Sequence, residues 1–344
     1  MRTPLPGLQL TVPLIAAPMA GGASTTALVT AAAHAGGVGF VPAGYRSPAD
    51  LAKQIAEVRE TGVPFGVNVF APSPVPVDPD AFRRYADQLE PEAETFGLSL
   101  RAAAPVEDDD GWRDKVDLLI ADPVPVVSFT FGIPDRRTVT ALRRAGTLTW
   151  QTVTDPAEAQ AAADAGVDAL IVQAAAAGGH SGTLSPHRPL PELRLTDLLA
   201  AVRARTGLPM LAAGGIGTAT DVAAAGRAGA AAVVVGTVLV RTRESGASAT
   251  YQAALAEGRR DTVLTRAFTG RPARGLRNDF IDRNTARAPL GYPAIHHLTA
   301  PVRRAAAAAG DPERLHLWAG TGYRHARAEP LADTFGRLYQ SAGR

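Results

Sequence analysis

A chain of 344 residues with 46% hydrophobic content can bury one large core, and a formal net charge of only +2, its arginines scattered, offers no basic tract for nucleic acid. It contains no cysteine, which excludes disulfides, thiolate nucleophiles and cysteine-ligated metal centres; no metal site is expected. No apolar run approaches the roughly 20 residues of a bilayer span, and no charged start leads into a long apolar stretch, so the chain reads as soluble and cytoplasmic.

The order of elements is cyclic. Residues 14–17, LIAA, form a first apolar strand between Pro13 and Pro18, followed by the loop Pro18-Met19-Ala20-Gly21-Gly22. Ser24 or Thr25 caps a helix over 26–35, and Gly36-Gly37 ends it before a strand at 38–41. The cycle recurs with a helix at 48–60, whose Leu51, Ile55 and Val58 share one side, and a strand at 65–69 containing Asn68. A proline-rich loop, a polar helix from Pro79 and the acidic run Glu107 to Asp110 then break the rhythm. The segment at about 71–115 is expected to be an insertion at the barrel mouth. Strand, helix and strand return at 126–129, 134–145 and 148–153. Asp155 and Pro156 start a further helix that Gly166 closes, and a strand at 169–172 delivers Gln173 to a loop carrying Gly178, Gly179 and His180. Seventh and eighth strands at 210–213 and 231–235 end in Gly214-Gly215-Ile216-Gly217 and Gly236-Thr237. Eight alternating units predict an α/β fold, a (β/α)8 TIM barrel spanning 1–244, with 245–344 appended as a helical lid portion.

In such a barrel the loops at the C-terminal strand ends carry the chemistry. Gly214-Gly215 and Gly236-Thr237 follow the two strands where a phosphate is commonly held by backbone N–H groups and a helix N-terminus; otherwise they only make tight turns. Asn68 and Gln173 each offer a donor and an acceptor to the edge of a heterocycle, or serve as satisfied loop amides. His180 is a candidate acid, base or donor to an anion. Met19 reads as core packing or as the wall of a flat ligand, and Trp318 as an anchor for the tail or a lid. His34 and the pair His296-His297 are expected to be structural or exposed. Lysine occurs only at Lys53 and Lys115, both expected on polar helix faces, so Schiff-base chemistry is not expected.

Taken together, Ala17-Pro18-Met19-Ala20-Gly21, GVNVF around Asn68, Gln173 with the AGGHSG loop, AAGGI around Gly215, Val234-Val235-Gly236-Thr237 and WAGTGYR in the tail resemble the nitronate monooxygenases, formerly called 2-nitropropane dioxygenases. The resemblance covers nearly the whole chain, and the spaced set is specific although each piece alone is weak. It implies an FMN enzyme on a barrel. Gly215, Gly236 and Thr237 would face the phosphate, with Gly178, Gly179, Gly214, Val234 and Val235 around them. Ala17, Pro18, Met19, Asn68 and Gln173 would lie along the ring and ribityl chain. It further implies oxidation of alkyl nitronates such as propionate 3-nitronate, with O2 as oxidant, carbonyl compound and nitrite or nitrate as products, and His180 as the catalytic residue orienting the substrate anion. One departure stands out: where some members carry a catalytic histidine in the helix before the glycine matching Gly166, this chain has Glu158.

The AGGH loop is shared with the flavin-dependent enoyl-acyl-carrier-protein reductases, for which NADH or NADPH would be the reductant. A flavin-free phosphate-binding lyase or isomerase and an idle flavin-binding protein are the other readings. Inosinate-type dehydrogenases require a cysteine that is absent. The oligomeric state is open between monomer and homodimer.

Overall fold

The structure, a computed structural model, describes residues 8, 10–73 and 75–339. Its strands are β1 (Leu14–Ala16), β2 (Val38–Pro42), β3 (Phe65–Ala71), β4 (Val126–Phe131), β5 (Leu148–Val153), β6 (Ala169–Gln173), β7 (Gly179–His180), β8 (Met210–Ala213), β9 (Ala232–Val235), β10 (Thr262–Thr265) and β11 (Ala273–Leu276). Strands β1 to β6, β8 and β9 close in that order into one barrel with helices between them, the (β/α)8 architecture expected from the sequence. Closure is made by β1 against β9, with Ile15 opposite Val234. The helices start where short polar side chains accept from their first free N–H groups: Thr25 from Leu28, Ser47 from Asp50 and Asp155 from Ala157 and Glu158. Gly166 ends its helix at a φ of 91°, a left-handed position that suits glycine.

The two-residue period of the strands decides what fills the barrel and what faces the mouth. On the inward face, Phe40 and Trp150 meet with ring centroids 5.5 Å apart and plug the lower layer. The plug needs Gly66 on the neighbouring strand, since a Cβ there would lie 2.3 Å from the Phe40 ring. One inward position further along β3, β4 and β5 the lining turns polar, to Asn68, Ser128 and Thr152. The packed interior therefore gives way to a functional layer within one repeat.

The insertion and the tail build a second body over the mouth. Helix Pro79–Glu94 of the insertion buries Phe82, Tyr85 and Leu89 against Phe268, Phe280, Ile295 and Leu298 of the tail. The Tyr85 hydroxyl donates to Ala267 O at 2.6 Å, and Glu92 pairs with Arg283 and Arg314, both at 2.7 Å. Helix Trp112–Ala121, at the far end of the insertion, packs Leu119 into the barrel core. The tail also departs from a purely helical reading, since β10, β11 and β7 form a three-stranded sheet in the order β10-β11-β7. Its last helix, Leu331–Tyr339, returns to the barrel and buries Leu331, Phe335 and Leu338 in the same core as Leu28 and Val222.

Candidate active site

His180 and every residue singled out from sequence as a cofactor-binding candidate line one cavity of about 600 Å³ at the C-terminal ends of the barrel strands. That size lies within the range of about 300–1,000 Å³ that suits a cofactor-sized ligand. On one side, Gly214 and Gly215 have φ of 110° and 75°, a turn that side-chain-bearing residues resist. Among the described residues, the backbone N–H groups of Gly215, Ile216, Gly236 and Thr237 have no protein acceptor. These free donors are what the two loops offer an anion. The Asp221 carboxylate accepts from Gly217 N, Thr218 N and the Thr218 hydroxyl, a capping box at the start of the helix that follows these loops.

The tail segment closes over the same loops. Gly320 N donates to the Thr237 hydroxyl at 3.0 Å, and Thr321 N to Ala176 O at 3.0 Å. Gly178 must be glycine, because a Cβ would meet Gly320 N at 2.4 Å and Thr237 Oγ1 at 2.8 Å.

The amides are more constrained than their sequence positions suggest. Asn68 is 4% exposed and donates through Nδ2 to Ser128 Oγ at 2.9 Å and Thr130 Oγ1 at 3.0 Å, which orients the rest of its amide. Gln173 accepts from Gly182 N at 2.7 Å and donates to His180 O at 3.3 Å, so it lines the cavity while pinning the loop that carries His180.

His180 lies in β7, and its Nε2 is 2.9 Å from the Thr269 hydroxyl. Its ring is edge-on to Phe131 and Tyr292 and tilted on Trp318, at centroid distances of 5.7, 5.8 and 5.5 Å. Burial, reinforced by Arg271 and Arg303, lowers its pKa to about 3, so the imidazole is neutral at ordinary pH. Trp318 is both anchor and wall: it bridges to Gly275 and lines the cavity.

Several residues at the mouth carried no recognisable signal. Tyr45 stacks on His296 with centroids 4.3 Å apart, and Arg271 places its guanidinium 4.1 Å from the centre of the Phe131 ring. His296 therefore corrects the expectation that it is structural or exposed, since it lines the cavity; its neighbour His297 lies 2.7 Å from Asp108 at the surface. The signal available for His296 was helical spacing, because His296, Ala300, Arg303, Arg304 and Ala307 repeat on one face of helix Ala294–Ala309. Lys115 is a second correction. It is fully buried, 2.7 Å from the Asp110 carboxylate, and donates to Ala43 O at 3.0 Å, so both charge and donors are spent on structure.

Glu158 does not line the cavity. Its carboxylate accepts from the Thr154 amide and hydroxyl, the Thr183 hydroxyl and Leu184 N at 2.5 to 2.8 Å. It ties the loop after His180 to the barrel and has no lone pair evidently reserved for substrate.

Fold and cavity together define a (β/α)8-barrel enzyme with a deep ligand site across the ends of its strands. The family model for nitronate monooxygenase matches residues 2–338, and the chain belongs to that family. It is a flavin-dependent oxidoreductase of the nitronate monooxygenase family. The probable nitronate monooxygenase of Staphylococcus aureus strain Newman is 34% identical over 328 residues, 94% of this chain and 92% of that protein. Nitroalkane oxidase from Streptomyces ansochromogenes is 45% identical, superposes with a TM-score of 0.90, and is matched over 96% of this chain and 95% of that one. FabK from Thermotoga maritima is more distant, at 27% identity and a TM-score of 0.76 over 98% and 95% of the two chains. Among the described residues no helix is long and apolar enough to cross a membrane, and no cluster of candidate metal ligands is found.

Proposed function

We propose that the chain oxidises alkyl nitronates, such as propionate 3-nitronate, with O2 in an FMN-dependent reaction, giving the carbonyl compound and nitrite or nitrate. The supporting observation is convergence: loops far apart in sequence bring Gly178, Gly215, Gly236 and Thr237 to one cavity together with Asn68, Gln173 and His180. FMN fits on two features, the free N–H groups of Gly215, Ile216, Gly236 and Thr237 for its phosphate, and the cradle at Gly178 that a Cβ would fill. Gly179, Gly214, Val234 and Val235 complete that end, and Ala17, Pro18 and Met19 flank the flat ring, with Asn68 and Gln173 along its edge. When bound, FMN supplies the electron transfer.

The residues of the chain then bind and orient. Tyr45, Phe131, Tyr292 and Trp318 ring the mouth and keep water from the anionic substrate, which strengthens its polar contacts. A nitronate is already deprotonated, so a strong base is not required of His180. A neutral imidazole buttressed by Thr269 suits orientation of the anion. In this reading the protein works in the cytoplasm, and 245–344 forms the lid portion that packs on the barrel.

The test is direct. Purified protein should show flavin absorption, release FMN on denaturation, and consume O2 with nitronates. Rapid bleaching by NADH or NADPH with turnover of an enoyl thioester, and no response to nitronates, would replace this reading with that of an enoyl reductase.

A further inference from the structure

Tyr45 stands between the cavity and solvent. It lines the cavity and is nevertheless 38% exposed, so at this place the wall is one side chain thick. Helix Ala294–Ala309 roofs the cavity along one face. Towards its C-terminal end Arg304 and Ala307 are exposed as well as cavity-lining, and the cavity opens there. Back along the same face, about 16 Å from Ala307 at 1.5 Å per residue, His296 stacks on the Tyr45 ring with the two planes 3° apart. From His180 to Tyr45 the wall is a run of rings. Phe131 is edge-on to His180, Phe70 packs on Phe131 at 4.6 Å, and Tyr45 meets Phe70 at 5.4 Å. The Tyr45 hydroxyl at the end of the run accepts from the Tyr292 hydroxyl at 3.2 Å. A lane of this kind suits an alkyl chain, which gains by burial and asks for no polar partner.

The turn that carries Tyr45 does not itself call for a tyrosine. Its φ of 64° is a conformation in which glycine or asparagine would be at ease and an aromatic residue is strained. The backbone is nonetheless fixed there: Asp110 accepts the Tyr45 N–H at 2.8 Å, and a Cβ on Gly44 would lie 2.3 Å from the Phe70 ring. What the strained position retains is the ring at the end of the lane.

We propose that Tyr45 is a specificity-determining residue: it ends the lane leading from His180 and so sets the longest unbranched alkyl nitronate that the site accepts. The inference rests on the nitronate reading above, and its test separates the two. For the FMN-loaded enzyme, kcat/KM along the series of primary alkyl nitronates from ethyl upwards should rise about fourfold per methylene and stop rising at the length that reaches Tyr45. Tyr45→Gly, which removes the ring at a turn that glycine prefers, should carry the rise about two carbons further or more. The ratio of kcat/KM for a chain two carbons beyond the wild-type limit to that at the limit should then grow about tenfold or more. Tyr45→Phe, which keeps the ring and loses the hydroxyl, should keep the wild-type limit.

Calorimetric titration with straight-chain monocarboxylates of increasing length, each a planar two-oxygen anion on one chain, should show the same limit in affinity and the same extension in Tyr45→Gly. That result would uphold the inference even if nitronates proved not to be oxidised. An unchanged limit in Tyr45→Gly overturns the proposal, and so does a wild type with no limit in either series. A limit that moves in Tyr45→Phe would assign it to the hydroxyl pair, and loss of FMN from Tyr45→Gly would assign the ring to the cofactor; each also overturns it. Should Tyr45→Gly fail to fold, as read by circular dichroism, Tyr45→Asn, which tolerates the same backbone, decides in its place.

Discussion

Gly178→Ala isolates the join between the barrel loops and the tail. The added Cβ would lie 2.4 Å from Gly320 N, 2.7 Å from Ala319 C and 2.8 Å from Thr237 Oγ1, two of them backbone atoms that cannot rotate away. Relief requires the 319–320 segment to move, at an overpacking cost of about 1–3 kcal/mol. The same movement breaks the bond from Gly320 N to Thr237, another 0.5–1.5 kcal/mol or about that. Together they come to roughly 1.5–4.5 kcal/mol, and because both segments are cavity wall, flavin affinity should fall by roughly tenfold or more. Gly179→Ala is the control: its Cβ would meet only Trp318 Cβ, at 4.0 Å, and its φ of 76° adds about 1 kcal/mol of backbone strain. The assay is quenching of FMN fluorescence on titration with apoprotein. Wild-type affinity in Gly178→Ala, with a loss confined to Gly179→Ala, would refute the steric argument and remove Gly178 from the cofactor wall.

Lys115→Met should destabilise by about 3–5 kcal/mol in urea titrations, because it strands the Asp110 carboxylate beside a buried backbone. Glu158→Gln should lose about 2–4 kcal/mol, since an amide cannot accept four bonds, while leaving the pH profile of kcat/KM unchanged; disappearance of a titrating limb would make Glu158 a base after all. Burial holds the folded-state pKa of His180, His296 and His316 below the ordinary value near 6.5, so the unfolded chain takes up protons that the native one refuses. Their contribution is complete above about pH 6.5 and is lost as pH falls below it; for His180 the loss runs down to about pH 3 and comes to about 2 kcal/mol between pH 7 and pH 5. Urea midpoints that stay flat across that interval would contradict the burial. The same lowering predicts a kcat/KM profile with no histidine limb between pH 6 and 8.

The barrel was legible because its signals are local. A two-residue period, a cap and a glycine stop are written within a dozen residues, and β6 with Gln173 and the His180 loop fell where that rhythm put them. The glycine loops were legible for the same reason. The mouth was not, because its residues acquire meaning only through partners far away in the chain. Tyr45 is a 38% exposed loop tyrosine whose place at the mouth shows only when His296 stacks on it, and Lys115 belongs to a polar helix until Asp110 folds over it. β10 and β11 were missed because they are four-residue strands that pair with each other and, through β11, with a two-residue strand, which no periodicity announces.

Among the described residues, the non-glycine positions with left-handed backbone are Tyr45, Asp110 and Phe131, with φ of 64°, 57° and 82°, and all three meet at the mouth. Such residues cost of order 1–3 kcal/mol each and persist where their surroundings over-determine them. Here the surroundings are identifiable. Asp110 accepts the Tyr45 N–H at 2.8 Å and is held in turn by Lys115, while Phe131 is gripped between the Arg271 guanidinium, Phe70 and Tyr292. The insertion supplies Asp110, the barrel supplies Tyr45 and Phe131, and the tail supplies Tyr292 and Arg271. Strain at the wall of the site is thus sustained by contacts between all three parts of the chain. A cavity wall set this way is formed before any ligand arrives, and loosening any one of the three should be felt at His180, whose ring rests on Phe131 and Tyr292.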